Sequence, residues 1–231
     1  MSRHRPAPKI VTFDCYGTLV EWREVLREVV LAVLARRGAG ETNPYRVLDV
    51  LDAFSRHAHR MQQSIPHRRY NEILRVGFGA AFADFGVRVS RDDIEEVAES
   101  TKRMGPHPET KAVLARLRER FRLAIFTNSD DDLISHNLRL IQVPIDYVIT
   151  AEQAQAYKPS RRIFEYGHAR MGVTTEEVVH VAMSMVLDIQ ACHQLGMRAI
   201  WINRLREIGN VDWLPYEELP DLRGVPALLG S

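Results

Sequence analysis

Ile10-Val11-Thr12-Phe13-Asp14-Cys15-Tyr16-Gly17-Thr18-Leu19 is the stretch that decides the fold. Its first four residues are β-branched or aromatic, the composition of a buried strand. Gly17 marks a turn just beyond it, so Asp14 and Thr18 stand at the carboxyl end of the strand. A carboxylate there is costly to bury unless it is paired, which points to chemistry. Taken alone, Asp14 has a second reading as a turn or capping residue.

From Trp22 the pattern changes to a helical period. Leu26, Val29, Val30, Val33 and Leu34 fall on one face, and Arg36-Arg37-Gly38 closes the segment. Further helical stretches are expected at 44–63, 70–85 and 92–102, with no clear strand among them. Gly105-Pro106-His107-Pro108 then reads as a linker. Beyond it, apolar runs at 123–126, 147–149, 178–182 and 199–202 alternate with helical patterns at 111–120, 133–140, 161–171 and 188–196. Such alternation predicts right-handed crossovers and an α/β fold, a doubly wound parallel sheet with helices on both faces. The expected division is a core of residues 1–18 and 105–231 and an inserted α-helical cap of residues 19–104. The cap would cover the carboxyl edge of the sheet, where such folds bind ligands.

The strand ends supply a coherent set. The first gives Asp14 and Thr18, the next Thr127-Asn128-Ser129. A loop before a helix gives Tyr157-Lys158-Pro159, and the strand at 178–182 leads to Ser184 and Asp188. A carboxylate nucleophile, an ammonium, several hydroxyl or amide donors and a second carboxylate make a working site. Each residue alone has a plainer reading: Lys158 as surface charge, Asp188 as a helix N-terminal charge. Their joint occurrence at successive strand ends favours the site.

With these four motifs in order, the chain resembles the haloacid dehalogenase superfamily over nearly its whole length. Within it the chain is most similar to the 2-haloacid dehalogenases, not the phosphatases. Asp14-Cys15-Tyr16-Gly17-Thr18 resembles the first motif, Thr127-Asn128 the second, Lys158-Pro159 the third, and Ser184 with Asp188 the fourth. Phosphatases of the superfamily carry a second Asp two residues after the nucleophile, to protonate the leaving alcohol. Here that position is Tyr16, and a halide leaves without a proton. They also hold Mg²⁺ through an acid in a Gly-Asp pair that corresponds here to Ala182-Met183.

The resemblance implies hydrolysis of small 2-haloalkanoic acids to 2-hydroxy acids through an ester on Asp14, without metal or organic cofactor. It implies that Lys158 keeps Asp14 ionised and that Asp188 positions Lys158 or the hydrolytic water. Thr18, Thr127 and Ser184 would donate hydrogen bonds to the substrate carboxylate or the ester. Asn128 would contact halide, and the Tyr16 ring would help to build a dry pocket. Backbone N–H groups after Asp14 would cradle an anionic oxygen. An arginine from the cap covers the halide in the family, and Arg56 or Arg60 is the expected counterpart. Phe164 stands where family members carry a tyrosine, and Met185 where they carry an asparagine. Dimers occur in the family, so a homodimer is one expected assembly. Two alternatives stay open: a Mg²⁺-dependent phosphatase using Asp14 and Asp188, and a non-catalytic binding protein on the same scaffold.

Other features carry less. His57 and His59 are two apart, which places them on different helix faces and argues against a metal pair. Gly77-Phe78-Gly79 lacks the preceding strand and third glycine of a dinucleotide fingerprint, so packing within the cap is expected. Trp22 reads as a hinge, pocket or core residue, and Cys15 as a small buried one. The 231 residues suit one ordinary domain with an insertion, and 45% hydrophobic and 26% charged content is that of a globular protein. A net charge of +1 gives no reason to invoke nucleic acid or a membrane surface. No apolar run reaches the roughly 20 residues of a membrane span. Residues 1–8 read as a frayed basic tail, and the two cysteines as free thiols in a reduced, cytoplasmic setting.

Overall fold

Ile10–Phe13 forms strand β1, buried along its whole length. The computed structural model describes residues 8–39 and 46–230. The expected frayed tail at 1–7 and the start of the helix expected at 44–63 lie outside the described residues. After β1 come four helices with no strand among the described residues: α1 (Trp22–Arg36), α2 (Arg46–Gln62), α3 (Tyr70–Asp84) and α4 (Arg91–Ser100). The five apolar residues expected on one face of α1 are all buried. Next follow α5 (Thr110–Arg118), β2 (Arg122–Thr127), α6 (Asp131–Ile141), β3 (Tyr147–Thr150), α7 (Ala151–Ala154) and α8 (Arg161–Met171). Then come β4 (Val178–Ala182), α9 (Gln190–Leu195), β5 (Arg198–Ile202), β6 (Glu217–Leu219) and α10 (Val225–Leu228).

The six strands make one parallel sheet in the order β3-β2-β1-β4-β5-β6. The order reverses beside β1, which leaves a crevice at the carboxyl ends of β1 and β4, where open α/β sheets bind ligands. The doubly wound α/β expectation holds, with one addition. β6 is a three-residue edge strand without an apolar run, joined to β5 by an Arg198–Glu217 ion pair at 2.9 Å.

The four-helix block is tied to the sheet edge at two places. Val20 and Pro106 form an antiparallel bridge, and Glu21 and His107 donate backbone bonds to Gly105 and Leu19. The expected linker is thus half of a two-stranded hinge. On the far side, the buried Asp130 accepts from the N–H groups of Tyr70 and Asn71 at 2.8 Å each. A carboxylate at the start of α3 satisfies orphan donors and opposes the positive end of the helix dipole. Inside the block, Phe54 stacks on Phe78 at 3.9 Å between ring centres. A Cβ at Gly77 would come within 3.1 Å of the Phe54 ring, so Gly77 lets α2 and α3 approach. At the opposite end, Asp93 accepts from both Arg36 and Arg37 and completes a capping box with Ser90.

Candidate active site

Asp14 follows β1 and is 7% exposed. Its two carboxylate oxygens have different partners. Oδ2 accepts from the Thr18 hydroxyl at 2.7 Å, and Oδ1 accepts from Lys158 Nζ at 2.8 Å. Thr18 Oγ1 in turn accepts from the Met183 N–H at 2.8 Å, which joins the β1 turn to the loop after β4. That turn requires Gly17, whose φ is +92°. Among the described residues the N–H groups of Cys15 and Tyr16 have no acceptor.

Lys158 also donates to Asp188 Oδ1 at 2.7 Å and to the Phe126 carbonyl at 3.1 Å. An ammonium has three donors, and here all three have protein acceptors. Asp188, fully buried, is next joined through Oδ1 to His180 Nε2 at 3.0 Å, and His180 Nδ1 meets Thr12 Oγ1 at 2.8 Å. The register of β1 and β4 pairs Thr12 with His180, which sets up that last contact. Among the described residues, Asp188 Oδ2 and Thr127 Oγ1 are buried without a partner.

Burial alone would push the Lys158 ammonium down, but Asp14 and Asp188 outweigh it and hold it above its ordinary value. Burial likewise works to raise Asp188, yet Lys158 and the His180 contact hold that carboxyl below its usual range. Asp14 goes the other way. Burial raises it, Lys158 offsets only part, and the charge of Asp188 adds to the rise. Two carboxylates share one adjacent lysine, and the unbalanced negative charge falls on Asp14.

The Tyr16 hydroxyl donates to Asn137 Oδ1 at 2.8 Å and lies 3.3 Å from Ser129 Oγ. Burial pushes its phenol far up, so it stays protonated. Asn128 clamps the Lys158 backbone, accepting from its N–H at 2.7 Å and donating to its carbonyl at 3.1 Å. Ser184 caps the π-helical turn Met185–Ile189 by accepting from the Leu187 N–H at 3.1 Å. Asp14, Tyr16, Asn128, Lys158 and Ser184 border a cavity of about 500 Å³ between the sheet edge and the helical block.

A family model described as a haloacid dehalogenase-like hydrolase matches residues 8–196. The chain belongs to the haloacid dehalogenase-like hydrolases. The (S)-2-haloacid dehalogenase of Pseudomonas sp. (strain YL) is 24% identical over 232 residues, 95% of this chain and 94% of the relative. Haloacetate dehalogenase H-2 of Moraxella sp. (strain B) is 31% identical over 112 residues, 47% of this chain and 49% of the relative. Phosphoserine phosphatase of Thermus thermophilus is 26% identical over 94% of this chain and 97% of its own. The structure of L-2-haloacid dehalogenase from Xanthobacter autotrophicus superposes with a TM-score of 0.82 at 19% identity, covering 97% of this chain and 99% of that one.

Within this haloacid dehalogenase-like site, Asp14, Thr18, Lys158 and Asp188 meet in one hydrogen-bonded cluster. Tyr16, Asn128 and Ser184 lie at its border. Thr127 ends β2 fully buried and does not border the cavity. Arg56 is not brought to the site. It is exposed on α2, because the helical period turns Ser55, Ala58, His59 and Gln62 toward the cavity instead. Arg60 is bonded to His57. The arginine at the cavity is Arg23, exposed on α1, its guanidinium 5.2 Å from the centre of the Trp22 ring. His180 was not singled out by the residue pattern. A lone histidine inside the apolar run Val178-Val179-His180-Val181-Ala182 is the signal that marks it.

Among the described residues, no group of three or more His, Cys, Asp or Glu is placed to hold a metal ion. Mg²⁺ takes oxygen ligands, whereas here an ammonium stands between the two carboxylates and a thioether, Met183, borders Asp14. Nor is any helix among the described residues long and apolar enough to cross a membrane. Cys15 and Cys192 are buried free thiols.

Proposed function

We propose that the chain hydrolyses the carbon–halogen bond of 2-haloalkanoic acids, giving 2-hydroxy acids and halide without a metal. One Asp14 oxygen attacks the carbon that bears the halogen, and the carbon–halogen electron pair leaves with the halide. Water then adds to the carboxyl carbon of the resulting ester. The ester C–O bond breaks, the 2-hydroxy oxygen takes one of the water's protons, the other passes to solvent, and Asp14 is restored as the carboxylate. Lys158 keeps the nucleophile ionised, and the Cys15 and Tyr16 N–H groups are available to the ester oxyanion. Residues 19–104 act as the cap that dries the site, over a core of 1–18 and 105–231.

The observation that carries this reading is the placement of Tyr16. Its hydroxyl is bonded to Asn137, so it offers no acid to a leaving group, and a halide needs none. The two buried thiols and the near-neutral charge support a small-molecule enzyme of a reducing, cytoplasmic compartment.

Halide release from 2-chloro-, 2-bromo- and fluoroacetate, with and without EDTA, tests it, beside a generic phosphate ester with Mg²⁺. Release that survives EDTA and is lost in Asp14→Asn is expected. Mg²⁺-dependent phosphate release instead would sustain the phosphatase alternative, and silence in both assays a binding protein.

A further inference from the structure

Five cavity-lining side chains, Leu26, Phe54, Ala58, Leu74 and Met104, make an apolar wall of the cavity. All five are at most 5% exposed. Phe54 is fixed by its stack on Phe78. The polar neighbours in that wall are already bonded: Ser55 donates to the Leu51 carbonyl at 3.0 Å and Thr101 to the Ala98 carbonyl at 2.7 Å. His59, Gln62, Arg23 and Glu207 also line the cavity at exposed or half-exposed positions, as do Met185, Val186 and Leu187.

Among the lining donors with no acceptor among the described residues are Trp22 Nε1 and Tyr70 Oη, on half-buried side chains, and the guanidinium of the exposed Arg23. Trp22 Nε1 lies 2.8 Å from where a Gly17 Cβ would stand, beside the nucleophile's turn. Burial pushes the Tyr70 phenol up to about 12, so it remains a donor. With all three Lys158 donors bonded to protein, Trp22 Nε1, Tyr70 Oη and the Ser184 hydroxyl are available to a substrate carboxylate, beside the exposed Arg23 guanidinium.

Size then separates substrate classes. A haloacetate fills on the order of 150 Å³ if each heavy atom takes about a water's share of liquid volume. The cavity is about 500 Å³. The difference has room for on the order of ten further heavy atoms on the same scale.

On the reading of a 2-halo acid hydrolase, we infer that the substrate is an acid with an extended apolar tail, which lies along Leu26, Phe54, Ala58, Leu74 and Met104. Its carboxylate is met by Trp22 Nε1 and Tyr70 Oη. A polar tail, such as that of a sugar acid, would leave its hydroxyls unpaired against this wall.

Two measurements on the wild-type protein test the inference separately from the reaction. Calorimetric binding of unhalogenated straight-chain acids, acetate through decanoate, needs no chemistry. Affinity is expected to rise about three- to fourfold per methylene, the equivalent of about 0.8 kcal/mol, throughout the series. The second measurement is halide release from 2-bromoacetate through 2-bromodecanoate, where kcat/KM is expected to rise in parallel. A flat or falling series from acetate to octanoate overturns the tail, even if 2-bromoacetate is a good substrate. A rising binding series with no halide from any acid supports the tail and rejects the reaction. Ala58→Leu, read with a melting curve, is expected to weaken octanoate at least tenfold and leave acetate within twofold. Equal weakening of both would also overturn the placement of the tail.

Discussion

His180 Nε2 lies 3.0 Å from Asp188 Oδ1, and both side chains are fully buried. A carboxylate only accepts, so Nε2–H donates to Asp188, while Nδ1 meets Thr12 Oγ1 at 2.8 Å and the Thr12 hydroxyl also lies 3.3 Å from the Val179 carbonyl. His180 thus fixes the carboxylate that fixes Lys158, and so acts on Asp14 from three contacts away. A hydrogen bond to a charged group contributes about 1.5–3 kcal/mol. His180→Phe is expected to lower kcat roughly tenfold or more, with KM little changed, if that energy is expressed at the site. His180→Gln, which can still donate toward Asp188, should recover part of the loss. A purely structural role would instead give a changed melting temperature with unchanged kcat in both variants.

Lys158→Met tests the charge balance of the cluster. It leaves Asp14 and Asp188 buried without a cation, and breaking such a pair costs about 3–5 kcal/mol. The pH dependence has a definite sign. In the wild type, Asp188 is held below its ordinary value of 3.8, so the stability it contributes is present above 3.8 and lost as pH falls through its folded value. In the variant both carboxyls are raised by burial, and the folded state takes up protons as pH falls. The stability gap between the two proteins should therefore be widest near neutrality and narrow toward pH 4. Urea denaturation at several pH values measures it, and a gap independent of pH would reject this account.

What was legible in the chain followed from local rules. The apolar strand, the Gly17 turn and the periodic face of α1 each declare themselves within a few residues. So did the joint presence of Asp14, Lys158 and Asp188, because strand ends converge in a parallel sheet. What was not legible depends on distant partners. Ser129 and Asn137, which turn the Tyr16 hydroxyl away, lie 113 and 121 residues from it. Arg56 or Arg60 was expected at the halide from the family resemblance, and the rotation of α2 leaves both exposed outside the cavity lining. β6 was invisible because a three-residue charged edge strand carries no hydrophobic period. That Lys158 has no free donor follows only from the Phe126 carbonyl, a backbone group with no sequence signature.

On the proposed mechanism, the ionisation of Asp14 sets the acid limit of activity. Burial holds the Asp14 carboxyl above 3.8, and only the ionised form attacks. The rate should therefore fall as pH drops through a value above 3.8, and kcat/KM reports this for the free enzyme. The Thr18 hydroxyl bonds to the ionised form and opposes the rise, so Thr18→Val should move the acid limb to higher pH and Thr18→Ser should not. A limb at or below 3.8, or one unmoved in Thr18→Val, would contradict this role of Asp14.

Isotope labelling distinguishes attack by Asp14 from attack by water. Direct displacement by water needs a carboxylate free to act as base beside the reacting carbon. Asp188 is fully buried, bonded to Lys158 and His180, and does not border the cavity; Glu207, which does, is exposed. Asp14 is the remaining carboxylate among the lining residues. In a single turnover in ¹⁸O-water the 2-hydroxy acid should therefore carry unlabelled oxygen from Asp14, and the Asp14 peptide should gain about 2 Da. Because C2 is attacked once and the second step occurs at the Asp14 carboxyl carbon, the configuration at C2 should invert. Label in the product of the first turnover would instead make Asp14 a base, and the ester intermediate would have to be abandoned.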